Sequence, residues 1–262
     1  MDIIQQIQQH RSIRRYQDRE IPEEILKDIL QAGIRASSSG NMQAYSIIVT
    51  TESDLKAELL EPHLQQSMVV EAPALVTFCA DFHRMRRWLA LREAPDNFDN
   101  FFSFLIGAID AILVSQNAAL AAESHGLGIC YLGSTLSNCR KIGRILQVPD
   151  NVLPVVGFTL GYPAEDPERR HRLPYSSLVH EETYQEYSDE EILEAYREKE
   201  VVGWKRYLGS DRLRKLVEEA GVTNLAELYT TVKYTRGNYQ AISRRLLAAL
   251  QEKDFFHHTP EV

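Results

Sequence analysis

Cysteine, positive charge and signature glycine motifs are all scarce in this 262-residue chain, and each scarcity excludes something. The three cysteines, Cys79, Cys130 and Cys139, show no Cys-x-x-Cys spacing. An odd count without a secretion signal predicts reduced thiols in the core, with no disulfide and no zinc site. Cations number 29 against 37 carboxylates, a net charge of -8, which argues against nucleic acid or an anionic membrane as partner. There is no G-x-G-x-x-G, Walker loop, G-x-S-x-G elbow or H-E-x-x-H, so triad or zinc hydrolysis has no support. The eight histidines show no metal-ligand spacing, no metal is expected, and His257 and His258 read as a frayed tail. The first ten residues lack the charged-then-apolar layout of a signal peptide, which predicts a cytoplasmic protein.

Of the residues present, 44% are hydrophobic and 25% charged, ordinary for a soluble globular chain with a sizeable core. Ile3, Ile4 and Ile7 recur at helical spacing, predicting a short helix that ends near Arg11. Pro22 suits the first turn of a second helix, with Ile25, Ile29 and Leu30 as its apolar stripe to about Arg35. "SSSGNMQ", Ser37 to Gln43, is a loop by composition, and "YSIIVTT" after it reads as a short buried strand. A helix opens at Ser53, and "ALVTFCA", Ala74 to Ala80, is a second strand.

The longest helical candidate runs from Phe98 to Gly126 and is apolar nearly all round. Ser103, Asp110, Gln116, Asn117 and Glu123 interrupt it, which favours a buried central helix over a membrane span. Ser103, Asp110, Asn117 and Ser124 fall seven apart. Such a line suits contact with a second helix of the same kind, or marks a core helix with a few satisfied polar groups. "GLGICYLGS" (Gly126 to Ser134) reads as a strand, a helix follows from about Ser137 to Leu146, and "VLPVVGFTLG" (Val152 to Gly161) is another strand. Ser188 with Glu191 forms a capping box that opens a helical stretch to Gln251.

The stretch "HRSIRRY", His10 to Tyr16, sets three arginines and a histidine around Ser12 in an acidic protein. Arginine offers planar paired donors to phosphate, and a serine adds a hydroxyl and an amide. A solvated basic turn balanced by Asp18 and Glu20 is the alternative. "RRHR", Arg169 to Arg172, is a second basic stretch after the last strand. The serine loop carries enough hydroxyls and amides to bind the edge of a heterocycle, and a glycine in "YLGS" lets a flat ligand approach the backbone.

Taken in order and at their spacing, "HRSIRRY", "SSSGNMQAYSII", "GLGICYLGS" and "RRHRLP" resemble the nitroreductase family of FMN-dependent oxidoreductases. The NADPH-dependent nitroreductase and flavin reductase branch is the most similar. "FCADFHR" and "LVHEETY" match as well, and the likeness covers about Ile3 to Tyr187. It implies an α+β fold: an α/β/α sandwich with a central antiparallel-rich mixed sheet, a long central helix and a helical C-terminal extension. The implied domains are 1–187 for FMN binding and 188–262 for the extension, which could cap the site or enlarge a dimer.

Carried over by motif, His10, Arg11 and Ser12 meet the phosphate and ribityl end of FMN, and Arg14 the pyrimidine edge of the ring. Ser37, Ser38, Ser39, Asn41 and Gln43 match a polar loop that usually comes from the partner subunit of an intertwined homodimer, and Gln66 a further flavin contact. Leu132, Gly133 and Ser134 match the turn along the ring near N5 and O4, and Arg170 and Arg172 a basic pair reaching the phosphate. The implied activity is ping-pong hydride transfer from NADPH or NADH through FMN to a nitroaromatic, a quinone or free flavin, with no protein group acting as acid or base. Where the branch has a longer Arg/Lys-rich loop suited to the NADPH 2'-phosphate, this chain has the short "EVVGWKR", leaving Arg197, Lys199, Lys205 and Arg206. A specialised reductase such as a dehalogenase, and a flavin-binding protein without turnover, are the competing readings.

Overall fold

The computed structural model describes residues 2–256, the side chain of Arg212 excepted; His257 and His258 lie outside the described residues. The chain groups into two units, one of residues 1–168 with 242–262 and one of residues 169–241, so the expected boundary at 187 falls inside the second.

The first unit runs α1 (Ile3–Gln8), α2 (Glu23–Ile34), β1 (Tyr45–Thr50), α3 (Ser53–Leu60), α4 (Met68–Glu71), β2 (Ala74–Asp81), α5 (His83–Leu91) and α6 (Phe101–Ser124). It continues with β3 (Gly128–Tyr131), α7 (Ser134–Ser137), α8 (Cys139–Ile145) and β4 (Val152–Gly161). The strands form one sheet in the order β1-β2-β4-β3 with every pair antiparallel. Helices and this sheet make the α+β class expected from the sequence. The parallel element is a single bridge from Ser12 to Ile129 of β3. β2 is buried at every residue, as a strand covered on both faces should be, whereas the middle of β1 is only half-buried. The expectation of a buried strand there is corrected: β1 is an edge strand, with a neighbour on one side only.

α6 packs on β2 and α2. Its small residues Gly107, Ala108, Ala111, Ala118 and Ala122 turn inward and allow that close approach. Phe102, Leu105, Ile109, Ile112 and Leu113 are left exposed. Of the polar line, Ser103 and Asp110 are buried and hydrogen-bonded within this chain, as in a core helix with satisfied polar groups, whereas Asn117 is half-buried and Ser124 exposed. α6 is the one helix among the described residues long and apolar enough to cross a membrane, and half of that stretch is buried in the fold.

The second unit contains α9 (Asp189–Leu208), α10 (Asp211–Ala220), α11 (Leu225–Glu227), a π-helical turn (Leu228–Lys233) and the start of α12 (Arg236–Glu252). The capping box at the head of α9 is formed on both sides, Ser188 accepting from the Glu191 amide and Glu191 from the Ser188 amide. Tyr207, Val217, Leu225 and Leu228 make a small core of this unit. The later part of α12 belongs to the first unit, where Ala249, Leu250 and Phe255 join the main core beside Phe104 and Phe158. All three cysteines are free and buried, and burial pushes the Cys79 thiol up to about 12 and that of Cys139 to about 11.

Candidate flavin site

The basic stretch is held on the sheet by two close approaches. A Cβ on Gly128 would come within 2.4 Å of Ile13, and one on Gly161 within 2.5 Å of Pro73 and 2.8 Å of Tyr16, so only glycine lets the segment lie this near β3 and β4. The Ile13 amide donates to the Ile129 carbonyl at 2.9 Å, and the Tyr16 hydroxyl donates to the Ile13 carbonyl at 2.6 Å. Burial raises the Tyr16 phenol well above its ordinary range and keeps it a neutral donor.

Because the Ser12–Ile129 bridge is parallel, the segment runs the same way as β3. Arg14 lies towards the end of β3 that leads into Leu132–Ser134, while His10 and Arg11 lie towards its start. Arg14 is three positions on from Arg11 along an extended segment, about 10 Å of chain.

The cations at the start are already engaged by carboxylates. His10 Nδ1 is 2.5 Å from Glu123 Oε1, and since a carboxylate only accepts, Nδ1 carries the proton and Nε2 is left for another partner. Arg11 pairs with Asp166, whose side chain is 86% exposed. Such a pair is worth about 1 kcal/mol or less, so Asp166 is readily exchanged for a stronger anion. Glu165 accepts from the amides of Arg14 at 2.6 Å and Arg15 at 3.2 Å, and Arg14 Nη1 donates to the Ser12 carbonyl at 3.3 Å. Arg11, Glu123, Gly128, Glu165 and Asp166 line a 230 Å³ cleft.

At the other end of β3 the Leu132 amide donates to the Gly157 carbonyl at 2.8 Å, so the sheet already uses it. The amides of Gly133 and Ser134 have no acceptor among the described residues. A Cβ on Gly133 would meet no atom of this chain, which leaves the outer face of the turn open to a flat ligand. Ser134 is buried, with His63 Nδ1 2.8 Å from its hydroxyl and Gln66 Nε2 3.4 Å away.

The serine loop is organised by Asp110 of α6. This fully buried carboxylate accepts from Ser38 Oγ at 2.8 Å, the Ser39 amide at 2.9 Å and the Ala44 amide at 3.3 Å. Ser38 Oγ in turn accepts from the Gln43 amide at 2.7 Å. Gly40, Asn41 and Gln43 have positive φ, a conformation glycine and asparagine tolerate best. Ser37, Asn41 and Gln43 are exposed.

Arg170 and Arg172 stand in the second unit, where Arg172 Nη1 donates to the carbonyls of Arg170 at 3.2 Å and His171 at 3.4 Å. "EVVGWKR" is no loop at all but part of the C-terminal half of α9; Arg197 pairs with Glu194 at 2.7 Å, and Lys199 lies over the Tyr196 ring.

The structure thus brings His10, Arg11, Ser12, Arg14, Gln66 and Leu132–Ser134 to the two ends of one short strand. Sequence reasoning missed Glu165 and Asp166, which stood in plain view in "YPAED", and His63, which gave no signal. Asp110 was visible as a carboxylate in the middle of an apolar helix, a costly placement that needs partners.

The sequence model of the Nitroreductase family matches residues 7–162. A relative from Bacillus subtilis (strain 168), named FMN reductase (NADPH), is 35% identical over 189 residues, covering 71% of this chain and 76% of its own. Among solved structures, one from Bacteroides fragilis NCTC 9343 has a TM-score of 0.88 at 37% identity over 96% of this chain and 99% of its own. The NADPH:FMN oxidoreductase from Vibrio harveyi, solved with NAD+, has a TM-score of 0.76 at 30% identity over 98% and 99%. With the model covering more than half of its length and relatives of this identity over most of it, the chain belongs to the nitroreductase family.

Proposed function

We propose that the protein is an FMN-dependent NAD(P)H oxidoreductase that works as a homodimer and reduces small acceptors of the nitroaromatic, quinone or free-flavin type by a ping-pong sequence. The observation that carries this reading is the parallel alignment of the basic segment with β3, which sets anion-binding groups at one end and an open glycine turn with two unpaired amides at the other. A phosphate on a chain, joined to a flat heterocycle, has that distribution of charge and shape. The residues fit FMN on this ground, and the names of the relatives support the same cofactor and donor.

Bound FMN supplies a two-electron acceptor that a reduced nicotinamide fills and a second substrate empties. The chain's own share is binding and orientation. Arg11 offers a paired donor to the phosphate once Asp166 gives way, with His10 and Ser12, its neighbours in the chain, as further donors. Arg14 places a fixed cation by the ring edge, where it favours electron-rich forms of the heterocycle. The Gly133 and Ser134 amides are fixed donors that need no rearrangement on binding. For Arg170 and Arg172 the support is the resemblance of "RRHRLP" alone. The homodimer draws its support from the row of exposed large apolar side chains on α6, the kind of surface that marks an interaction face.

Purified protein is expected to carry or take up FMN, bleach under anaerobic NADPH or NADH, and recover colour on adding an acceptor. A colourless preparation that gains no flavin from added FMN sinks the reading. Steady-state rates with both nicotinamides over the three acceptor classes assign donor and acceptor.

A further inference from the structure

Three polar groups meet at the turn that follows β3. His63 is fully buried, its Nδ1 lies 2.8 Å from Ser134 Oγ, and its Nε2 has no hydrogen-bond partner among the described residues. Gln66 Nε2 donates to the His63 carbonyl at 2.8 Å and stands 3.4 Å from the same serine oxygen. A carbonyl only accepts, so the Gln66 amide must present its NH2 group to both.

His63 then decides the direction of the remaining bond. Burial drives its pKa from 6.5 down to about 4, so the ring is neutral at neutral pH and carries one proton. On Nε2 that proton would be a buried N–H with no acceptor, which folded proteins avoid. On Nδ1 it leaves only an unused lone pair, which they tolerate better. Nδ1–H therefore donates to Ser134 Oγ. With His63 and Gln66 both donating, the serine oxygen's acceptor capacity is taken and its own proton must point elsewhere, yet no described residue accepts it.

We infer that His63 is a positioning residue that makes the Ser134 hydroxyl an obligate hydrogen-bond donor to a carbonyl or ring nitrogen of the bound heterocycle. This rests on the FMN reading above. Such a donor stabilises the electron-rich reduced ring more than the oxidised one, and so raises the two-electron potential.

The test uses the FMN-loaded protein. In 15N-histidine-labelled holoprotein, the resonances missing from His63→Asn are expected to show a protonated Nδ1 and a bare Nε2. A protonated Nε2 overturns the inference, since Ser134 would then donate inward. Ser134→Ala is expected to lower the preference for reduced over oxidised FMN about fivefold, or about 20 mV for a two-electron couple. His63→Leu should match it, the double variant should add nothing, and His63→Asn, whose side-chain NH2 replaces Nδ1–H, should restore the potential. FMN bound with an unchanged potential in Ser134→Ala overturns the inference and leaves the cofactor reading standing. Failure of the unaltered protein to bind FMN overturns both.

Discussion

Arg11 and Arg14 are three positions apart on an extended segment, and on the function we propose they serve different ends of one ligand, a division that neighbouring arginines on a helix would not have. Losing the charge-assisted bonds of Arg11 to a phosphate is expected to weaken FMN binding about tenfold or more in Arg11→Ala, read by fluorescence titration, with little change in melting temperature. His63 makes a prediction of its own. Its folded pKa is about 4 against 6.5, so between those values the unfolded chain binds a proton that the native one does not. Stability therefore rises with pH across this window and the contribution is complete above it. Denaturant melts should lose about 2 kcal/mol between pH 6.5 and about pH 5 on this account, a slope that His63→Asn removes. The basic cluster was legible because arginine around serine is chemically pointed. His63 was not, because a histidine's burial and tautomer depend on what surrounds it.

At the scale of elements, α6 gives a carboxylate to a loop far away in sequence. Asp110 satisfies two amides and a hydroxyl of the segment from Ser38 to Ala44, so removing it strands three donors, that of Ala44 in the core. Asp110→Ala is expected to cost about 3 kcal/mol in equilibrium unfolding and to weaken FMN uptake by loosening that loop. The end of α12 and the residues just after it behave as core: Phe255 is fully buried, with its ring 5.6 Å from that of Phe104. Phe255→Ala should destabilise by about 3 to 5 kcal/mol, which a chain end that merely capped a site would not do. Helix periodicity and the Ser188 capping box were readable, since both are local. That the last turns of α12 return to the first unit was not, because nothing local tells a core-facing apolar stripe from one that faces a neighbouring chain.

For the whole molecule, the exposed row of Phe102, Leu105, Ile109, Ile112 and Leu113 sets the association state we propose. A single Ile109→Glu should turn a dimer into a monomer in light scattering, because an unpaired carboxylate cannot be buried between two apolar helices without a cost of several kcal/mol. If the serine loop crosses to the partner's flavin, the same variant loses FMN.

By itself the sequence determined the α+β class, the run of most helices and strands, the absence of metal and hydrolase motifs, and, through four motifs taken as a set, the family. These rest on local patterns and on residue chemistry. Tertiary structure decided which donors remain free. The Leu132 amide is taken by Gly157, Arg11 is held by Asp166, and Asp110 is turned inward to the serine loop. Each of these depends on a partner distant in the chain, and hydrogen-bond capacity once used by such a partner is no longer available to a ligand.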